Sequence, residues 1–118
     1  MIAFTATSSP ERSRTFYQQT LGLRLVSEDG FAIVFDANGV MLRVQKVQAH
    51  TPPPYTVLGW DVPDVHAAVE ELAGRGVTFE RFEGMAQDHA GVWTSPAGGR
   101  IAWFRDPDGN TLSLTQFR

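Results

Sequence analysis

Residues 16–24 read Phe-Tyr-Gln-Gln-Thr-Leu-Gly-Leu-Arg, which is the pattern of a helix that ends and a strand that begins. Apolar side chains at helical spacing come first, and Gly22 supplies the left-handed residue at which helices commonly stop. The same order returns at Arg75-Gly76-Val77, after an apolar stripe over residues 65–72. A repeated order of helix, glycine and strand predicts two copies of one supersecondary unit.

The first unit is predicted to have the order βαβββ. Ile2–Thr7 is β-prone, and Ser8 followed by Glu11 has the spacing of a capping box, which predicts that a helix starts there. Turn signals separate three further runs of strand-forming residues. These runs are Leu23–Ser27, Phe31–Phe35 and Val40–Val47.

The second unit follows a segment with three consecutive prolines, residues 48–54, which cannot contribute regular donors to a sheet and is predicted to be a linker. Its strand-like runs are Tyr55–Asp61, Val77–Phe82, Gly91–Ser95, Arg100–Arg105 and Thr111–Gln116. We therefore predict a single α+β domain, with the first βαβββ unit in residues 1–47 and the second in residues 55–118.

Composition excludes several partners. The chain has 118 residues, the size of one domain, and a net charge of −3. Nucleic acids and anionic membranes attract basic surfaces, so neither is expected as a partner. The chain has no cysteine, which excludes disulfides and thiolate chemistry. We see no secretory signal pattern and no apolar run that could span a bilayer, so we expect a cytoplasmic protein.

Three motifs accompany the two units in a fixed order. They are Phe16-Tyr17 before Leu21-Gly22-Leu23, then Val62-Pro63-Asp64-Val65, then Phe104-Arg105-Asp106-Pro107-Asp108-Gly109-Asn110. With these motifs the chain resembles the vicinal oxygen chelate superfamily, which includes glyoxalase I, bleomycin-resistance proteins and extradiol dioxygenases. The resemblance implies a curled, partly open mixed sheet around a groove, and a homodimer.

The resemblance also implies where metal ligands would lie. In metal-dependent members four His or Glu side chains hold the ion, and the matching positions here are Ile2, Arg43, Val57 and Ser113. Two of these have no lone pair, Arg43 is a permanent cation, and a serine hydroxyl is a weak neutral donor. We therefore expect no metal and no other cofactor. Without the metal site, we also expect neither glyoxalase I nor dioxygenase activity by the family's mechanism.

The three histidines do not form an evident cluster. His50 lies in the linker and His66 lies off the apolar stripe of its helix, so both are expected at the surface. His89 lies in a loop between two strands, next to Asp88. This pair is the weak candidate for a catalytic function, although adjacency in sequence does not bring two side chains together.

Period-two alternation assigns the candidate ligand-binding residues. In Val40–Val47 it places Leu42 and Val44 in the core and turns Met41 and Arg43 to the groove. Arg43 either forms a salt bridge or receives an anionic or carbonyl group of a ligand. The complete set of candidates is Phe4, Met41, Arg43, Val57, Trp93, Phe104 and Ser113.

Three functions remain open from the sequence. The first is metal-free binding or sequestration of a small, largely apolar molecule, similar to bleomycin-resistance proteins. The second is catalysis, by a glyoxalase-like lyase or isomerase or another enzyme with an atypical site. The third is a non-catalytic dimeric interaction module.

Overall fold

A computed structural model describes all residues 1–118 and contains two four-stranded mixed sheets. The first sheet has the order β1-β4-β3-β2, where β1 is Ile2–Thr7, β2 is Arg24–Glu28, β3 is Ala32–Ala37 and β4 is Val40–Lys46. The second has the order β5-β8-β7-β6, where β5 is Thr56–Asp61, β6 is Trp93–Thr94, β7 is Arg100–Arg105 and β8 is Thr111–Gln116. The predicted α+β fold with two βαβββ units is confirmed.

Each unit carries one helical segment. In the first unit α1, Pro10–Thr15, continues as one π-helical stretch, Phe16–Thr20. In the second unit α2 spans Val65–Gly74. No helix of the protein combines the length and the apolar character that a membrane span requires.

The helices end where the sequence predicts but α1 starts differently. Gly22 and Gly76 have φ angles of 75° and 94°, so both adopt the left-handed conformation expected just after a helix. The predicted capping box is wrong: Ser9, not Ser8, is the N-cap residue, and its side chain makes no capping hydrogen bond. The Ser8 backbone N–H and hydroxyl both donate to Asp108 instead, at 2.8 Å and 3.2 Å.

The predicted strand at Val77–Phe82 is absent. The side chain of Gln87 accepts a hydrogen bond from the Phe82 N–H and donates one to the Glu80 carbonyl, at 2.8 Å and 2.9 Å. These backbone groups are therefore satisfied inside a loop rather than in a sheet ladder. The run Gly91–Ser95 is also shorter than predicted, because only β6 pairs with β7.

Contacts divide the chain into two compact units. The first comprises Met1–Pro52 together with Asp106–Gly109, and the second comprises Pro53–Arg105 together with Asn110–Arg118. The core of the first unit is formed by apolar and aromatic side chains that are almost completely buried: Tyr17, Ile33, Phe35, Leu42 and Val44. The corresponding side chains of the second unit are Val65, Val69, Leu72, Ala102, Phe104, Leu112 and Leu114.

Candidate functional site

The first sheet presents the residues between its core positions on what we call the far face, the side turned away from the core. Strand register places Phe4 of β1 opposite Arg43 of β4, and Arg43 opposite Val34 of β3. Met41 follows in the next row, opposite Ile2. Because paired residues on neighbouring strands point to the same side, the Arg43 guanidinium lies between Phe4 and Val34. The Met41 row also carries the ion pair of Asp36 and Arg24.

Arg43 is half-buried and takes part in none of the ion pairs of the protein, which all involve other cations. Of the two alternatives that the sequence leaves open for Arg43, the salt bridge is therefore not formed. The charge of Arg43 acts on the carboxylate of Asp29. The pKa of Asp29 is lowered mainly by hydrogen bonds from the Phe31 and Ala32 N–H groups, and further by the positive charges of Arg43 and Lys46. Arg43 thus retains its donors for another group.

Around Arg43 the far face is open at one side. Phe4 and Met41 are 52% and 42% exposed, whereas Val34 is only 6% exposed. An exposed apolar surface with one oriented charged donor is the combination that small-molecule sites show.

The second sheet has a far face of different character. The register places Gly59 of β5 opposite Ser113 of β8, and Ser113 opposite Trp103 of β7. This row therefore contains a glycine without a side chain, a serine hydroxyl group and a tryptophan indole. The next row places Thr115 opposite Ile101, which in turn lies opposite Trp93 of β6.

Three aromatic rings meet at the Trp103 end of this face. The ring of Phe82 meets the Trp103 ring edge-on, with centroids 5.5 Å apart and planes at 88°. The Trp93 and Trp103 rings are 6.2 Å apart and tilted by 38°. All three are partly accessible to solvent.

Two of the predicted ligand-binding residues have other surroundings. Phe104 is completely buried and its ring lies 5.4 Å from that of Phe79, so it belongs to the core and not to the far face. Phe104 lies opposite Leu112, whose side chain also points into the core, whereas its neighbour Trp103 lies opposite Ser113. Val57 is half-exposed and lies at a register shift between β5 and β8, which leaves it without a direct partner on β8.

The positions that match the family's metal ligands do not fit a divalent ion. In β1 the residue opposite Arg43 is Phe4, not Ile2, and in β5 the residue opposite Ser113 is Gly59, not Val57. Phe4 and Gly59, like Ile2 and Val57, have no side-chain atom that could bind a metal ion. Nowhere in the chain do three or more His, Asp or Glu side chains come together in a way that could hold a metal. Divalent ions need several such donors converging on one point.

The candidate pair Asp88 and His89 is not brought together by a side-chain hydrogen bond. The Asp88 carboxylate instead lies 2.7 Å from Nε2 of His66. The backbone carbonyl of His89 accepts a hydrogen bond from Arg81, while its side chain is exposed.

Three neighbours of the candidate residues, Val34, Phe82 and Trp103, are not among the residues predicted from the sequence pattern. The signal for Trp103 was available in principle, because the turn at Asp106–Asn110 fixes the register of β7 against β8 and so pairs it with Ser113. Phe82 gave no such signal, since it reaches the sheet from a loop.

Most of the chain is similar in sequence to a known protein family. Residues 3–114 match the pattern of the Glyoxalase/Bleomycin resistance protein/Dioxygenase superfamily. Among curated proteins, no sequence matches the chain.

Solved structures with the same fold come from several bacteria. A member of the glyoxalase/bleomycin resistance protein/dioxygenase superfamily from Sphaerobacter thermophilus superimposes with a TM-score of 0.73 at 24% identity, over 98% of this chain and 96% of that chain. Lactoylglutathione lyase from Agrobacterium tumefaciens gives a TM-score of 0.71 at 19% identity, over 98% and 92%. An integron cassette protein of V. cholerae gives 0.71 at 16% identity, over 100% and 95%. These likenesses concern the fold.

Proposed function

The chain belongs to the glyoxalase/bleomycin resistance protein/dioxygenase superfamily, and we propose that it binds or sequesters a small, largely apolar molecule without a metal ion. Each sheet binds ligand on its own far face, and that of the first sheet carries the charged residue, Arg43. Arg43 receives an anionic or carbonyl group of the ligand, and Phe4 and Met41 contact its apolar part. Superfamily membership supports small-molecule binding by this fold.

One observation carries this proposal: Arg43 is half-buried beside apolar side chains and has no ion-pair partner. A charge that is partly removed from water costs free energy unless another group compensates it. A planar guanidinium compensates best by two parallel hydrogen bonds to a carboxylate or a similar oxygen pair. An acidic or carbonyl group on an otherwise apolar ligand would supply them.

The proposal of metal-free binding is supported by the chemistry of the residues present. In the first unit Phe4 and Arg43 offer a cation and no lone-pair donor, and in the second unit Gly59 and Ser113 offer one hydroxyl oxygen. Nowhere do three or more His, Asp or Glu side chains come together in a way that could hold a metal. Arg43 would repel a divalent ion at the position where the family places a ligand. The guanidinium therefore supplies the positive charge that a metal supplies elsewhere in the family.

Calorimetric titration with octanoate tests the role of Arg43, with 1-octanol as the uncharged probe of the same chain length. We expect octanoate to bind more tightly than octanol. Arg43→Ala should weaken octanoate binding about ten- to a hundredfold, which corresponds to the loss of a charge-assisted hydrogen bond. Arg43→Lys should also weaken it, because an ammonium group cannot make the planar two-point contact.

The matched control is Arg75→Ala. Arg75 lies just after α2 in the second unit and pairs with Glu71 at 2.6 Å, so its removal should leave octanoate affinity unchanged. Equal affinity of the wild-type protein and Arg43→Ala for octanoate would overturn the anchoring role.

A further inference from the structure

We infer that the far face of the second sheet binds a flat, uncharged aromatic ring whose hydroxyl or carbonyl substituent hydrogen-bonds to the Ser113 hydroxyl. This inference deepens the proposed function, on which it rests, by naming the class of ligand for the second unit. The rings of Phe82, Trp93 and Trp103 form the contact surface.

The arrangement of these rings favours an aromatic ligand. Phe82 meets Trp103 edge-on and Trp93 lies at an offset to it, so the cluster already uses the two geometries that aromatic rings prefer. None of the three is fully buried, which leaves ring surface uncovered. A further flat ring extends the cluster by the same contacts, whereas a saturated ring gains only the burial of apolar area.

The loop that carries Phe82 is held in place before any ligand binds. The Gln87 side chain accepts from the Phe82 N–H and donates to the carbonyls of Glu80 and Gly91, at 2.8 Å, 2.9 Å and 2.8 Å. One side chain therefore joins both sides of the loop. Preorganisation of this kind reduces the conformational entropy that binding would otherwise cost.

The charges around the cluster favour a neutral ring. The row Gly59–Ser113–Trp103 carries no formal charge, and in the row that contains Trp93 the one charged residue is Asp61, three strands away on β5. At the edge of the sheet, Arg105 is compensated by Glu80, with 3.2 Å between Nε and Oε1. This surface differs from that of Arg43 in the first unit, where a cation without an ion pair favours an anionic group.

Ser113 is only 7% exposed, and the neighbouring strand position that is open to solvent is Gly59. A Cβ atom built on Gly59 would lie 2.7 Å from Ser113 Oγ, closer than any side chain tolerates. Glycine inside a strand weakens the strand and often marks a place where another group approaches the backbone closely. Here the missing side chain of Gly59 is what leaves the largely buried Ser113 hydroxyl reachable from the solvent side.

Calorimetry with 2-naphthol, and with trans-2-decalol as its saturated analogue, tests the inference. We expect 2-naphthol to bind more tightly than the decalol. Trp103→Leu should weaken naphthol binding about two- to tenfold, and Ser113→Ala should weaken it to a similar extent because one neutral hydrogen bond is lost. Trp103→Phe should retain part of the affinity. The control Phe117→Leu removes an aromatic ring that is 67% exposed and outside the cluster, and should change nothing.

NMR of the wild-type protein provides a second test that needs no variant. The chain has three tryptophans, and each gives one indole N–H signal. Naphthol should shift the signals of Trp93 and Trp103 but not that of Trp60, which lies opposite Leu114 on the core side of the sheet. A shift of the Trp60 signal alone would overturn the inference, as would unchanged naphthol affinity in Trp103→Leu.

The outcomes separate this inference from the proposed function. If octanoate binds through Arg43 but 2-naphthol does not bind, or if the decalol binds as tightly as naphthol, only the inference for an aromatic ligand fails. If octanoate, naphthol and decalol all fail to bind, the proposed function fails as well.

Discussion

His66 Nε2 and Asp88 Oδ2 lie 2.7 Å apart, which ties helix α2 to the loop that precedes β6. The other carboxylate oxygen of Asp88 accepts hydrogen bonds from the N–H groups of Ala90 and Val92, at 2.9 Å and 3.0 Å. One side chain therefore organises the loop and connects it to the helix. Trp93, a ring of the aromatic cluster, follows directly after this loop.

Acid should loosen this connection. Burial alone would raise the pKa of Asp88, but hydrogen bonds from His66, Val92 and Ala90 lower that pKa from 3.8 to about 2. A carboxylate with a lowered pKa in the folded state stabilises the protein above its unfolded pKa, and this stabilisation is lost as the pH falls from about 4 towards 2. We expect urea midpoints to fall over that range, and to fall less steeply in Asp88→Asn.

The control for this prediction is Asp64→Asn. Asp64 caps α2 through the Ala67 N–H but does not contact the loop. If Asp88→Asn showed the same acid dependence as the wild-type protein, Asp88 would not contribute to it.

The buried hydroxyl of Tyr17 should stabilise the first unit. It donates to Asp106 Oδ2 at 2.7 Å, and Tyr17 is completely buried. Burial first, and then the negative charge of Asp106, raise the pKa of the Tyr17 hydroxyl, so it remains a donor throughout the physiological range. Tyr17→Phe should lower the free energy of unfolding by about 1.5–3 kcal/mol, the contribution of a hydrogen bond to a charged group.

Chemical denaturation of Tyr17→Phe and Tyr55→Phe measures this effect. Tyr55 is 65% exposed, so loss of its hydroxyl should have no effect on stability. A loss of stability in Tyr17→Phe no larger than that in Tyr55→Phe would show that the hydrogen bond to Asp106 contributes nothing.

Sequence patterns predicted the fold because its signals are local. The glycines after the helices and the alternation in β4 both depend on neighbouring residues alone, and Leu42 and Val44 are buried while Met41 is exposed, as predicted. Side chains that act over a longer range were not predictable. Gln87 replaces a predicted strand by a loop, and Asp88 selects His66, 22 residues away, over its neighbour His89.

The candidate site was predictable in part for the same reason. Arg43 follows from alternation within its own strand, whereas the absence of an ion pair for it required the positions of every carboxylate. Residue type alone did not predict the position of Phe104, because aromatic residues near a suspected site are more often part of the core. Its pairing with the buried Leu112 shows that Phe104 points into the core.

The chain should form a homodimer. Strand β1 is an edge strand of the first sheet, and its side chains Ile2 and Phe4 are 49% and 52% exposed. Exposed apolar edge strands commonly pair with another chain. Light scattering at micromolar concentration should give twice the chain mass of 13.0 kDa, and Ile2→Glu should reduce it. A mass of one chain for the wild-type protein would contradict this prediction.

The central claim, ligand binding through Arg43 without a metal, is tested most directly by octanoate titration before and after removal of divalent ions. The same samples are analysed for their metal content. We predict no stoichiometric metal in the purified protein, and the same octanoate affinity before chelation, after chelation and after addition of Zn²⁺ or Ni²⁺. About one ion per chain, together with affinity that is lost on chelation and restored by the metal, would contradict the account.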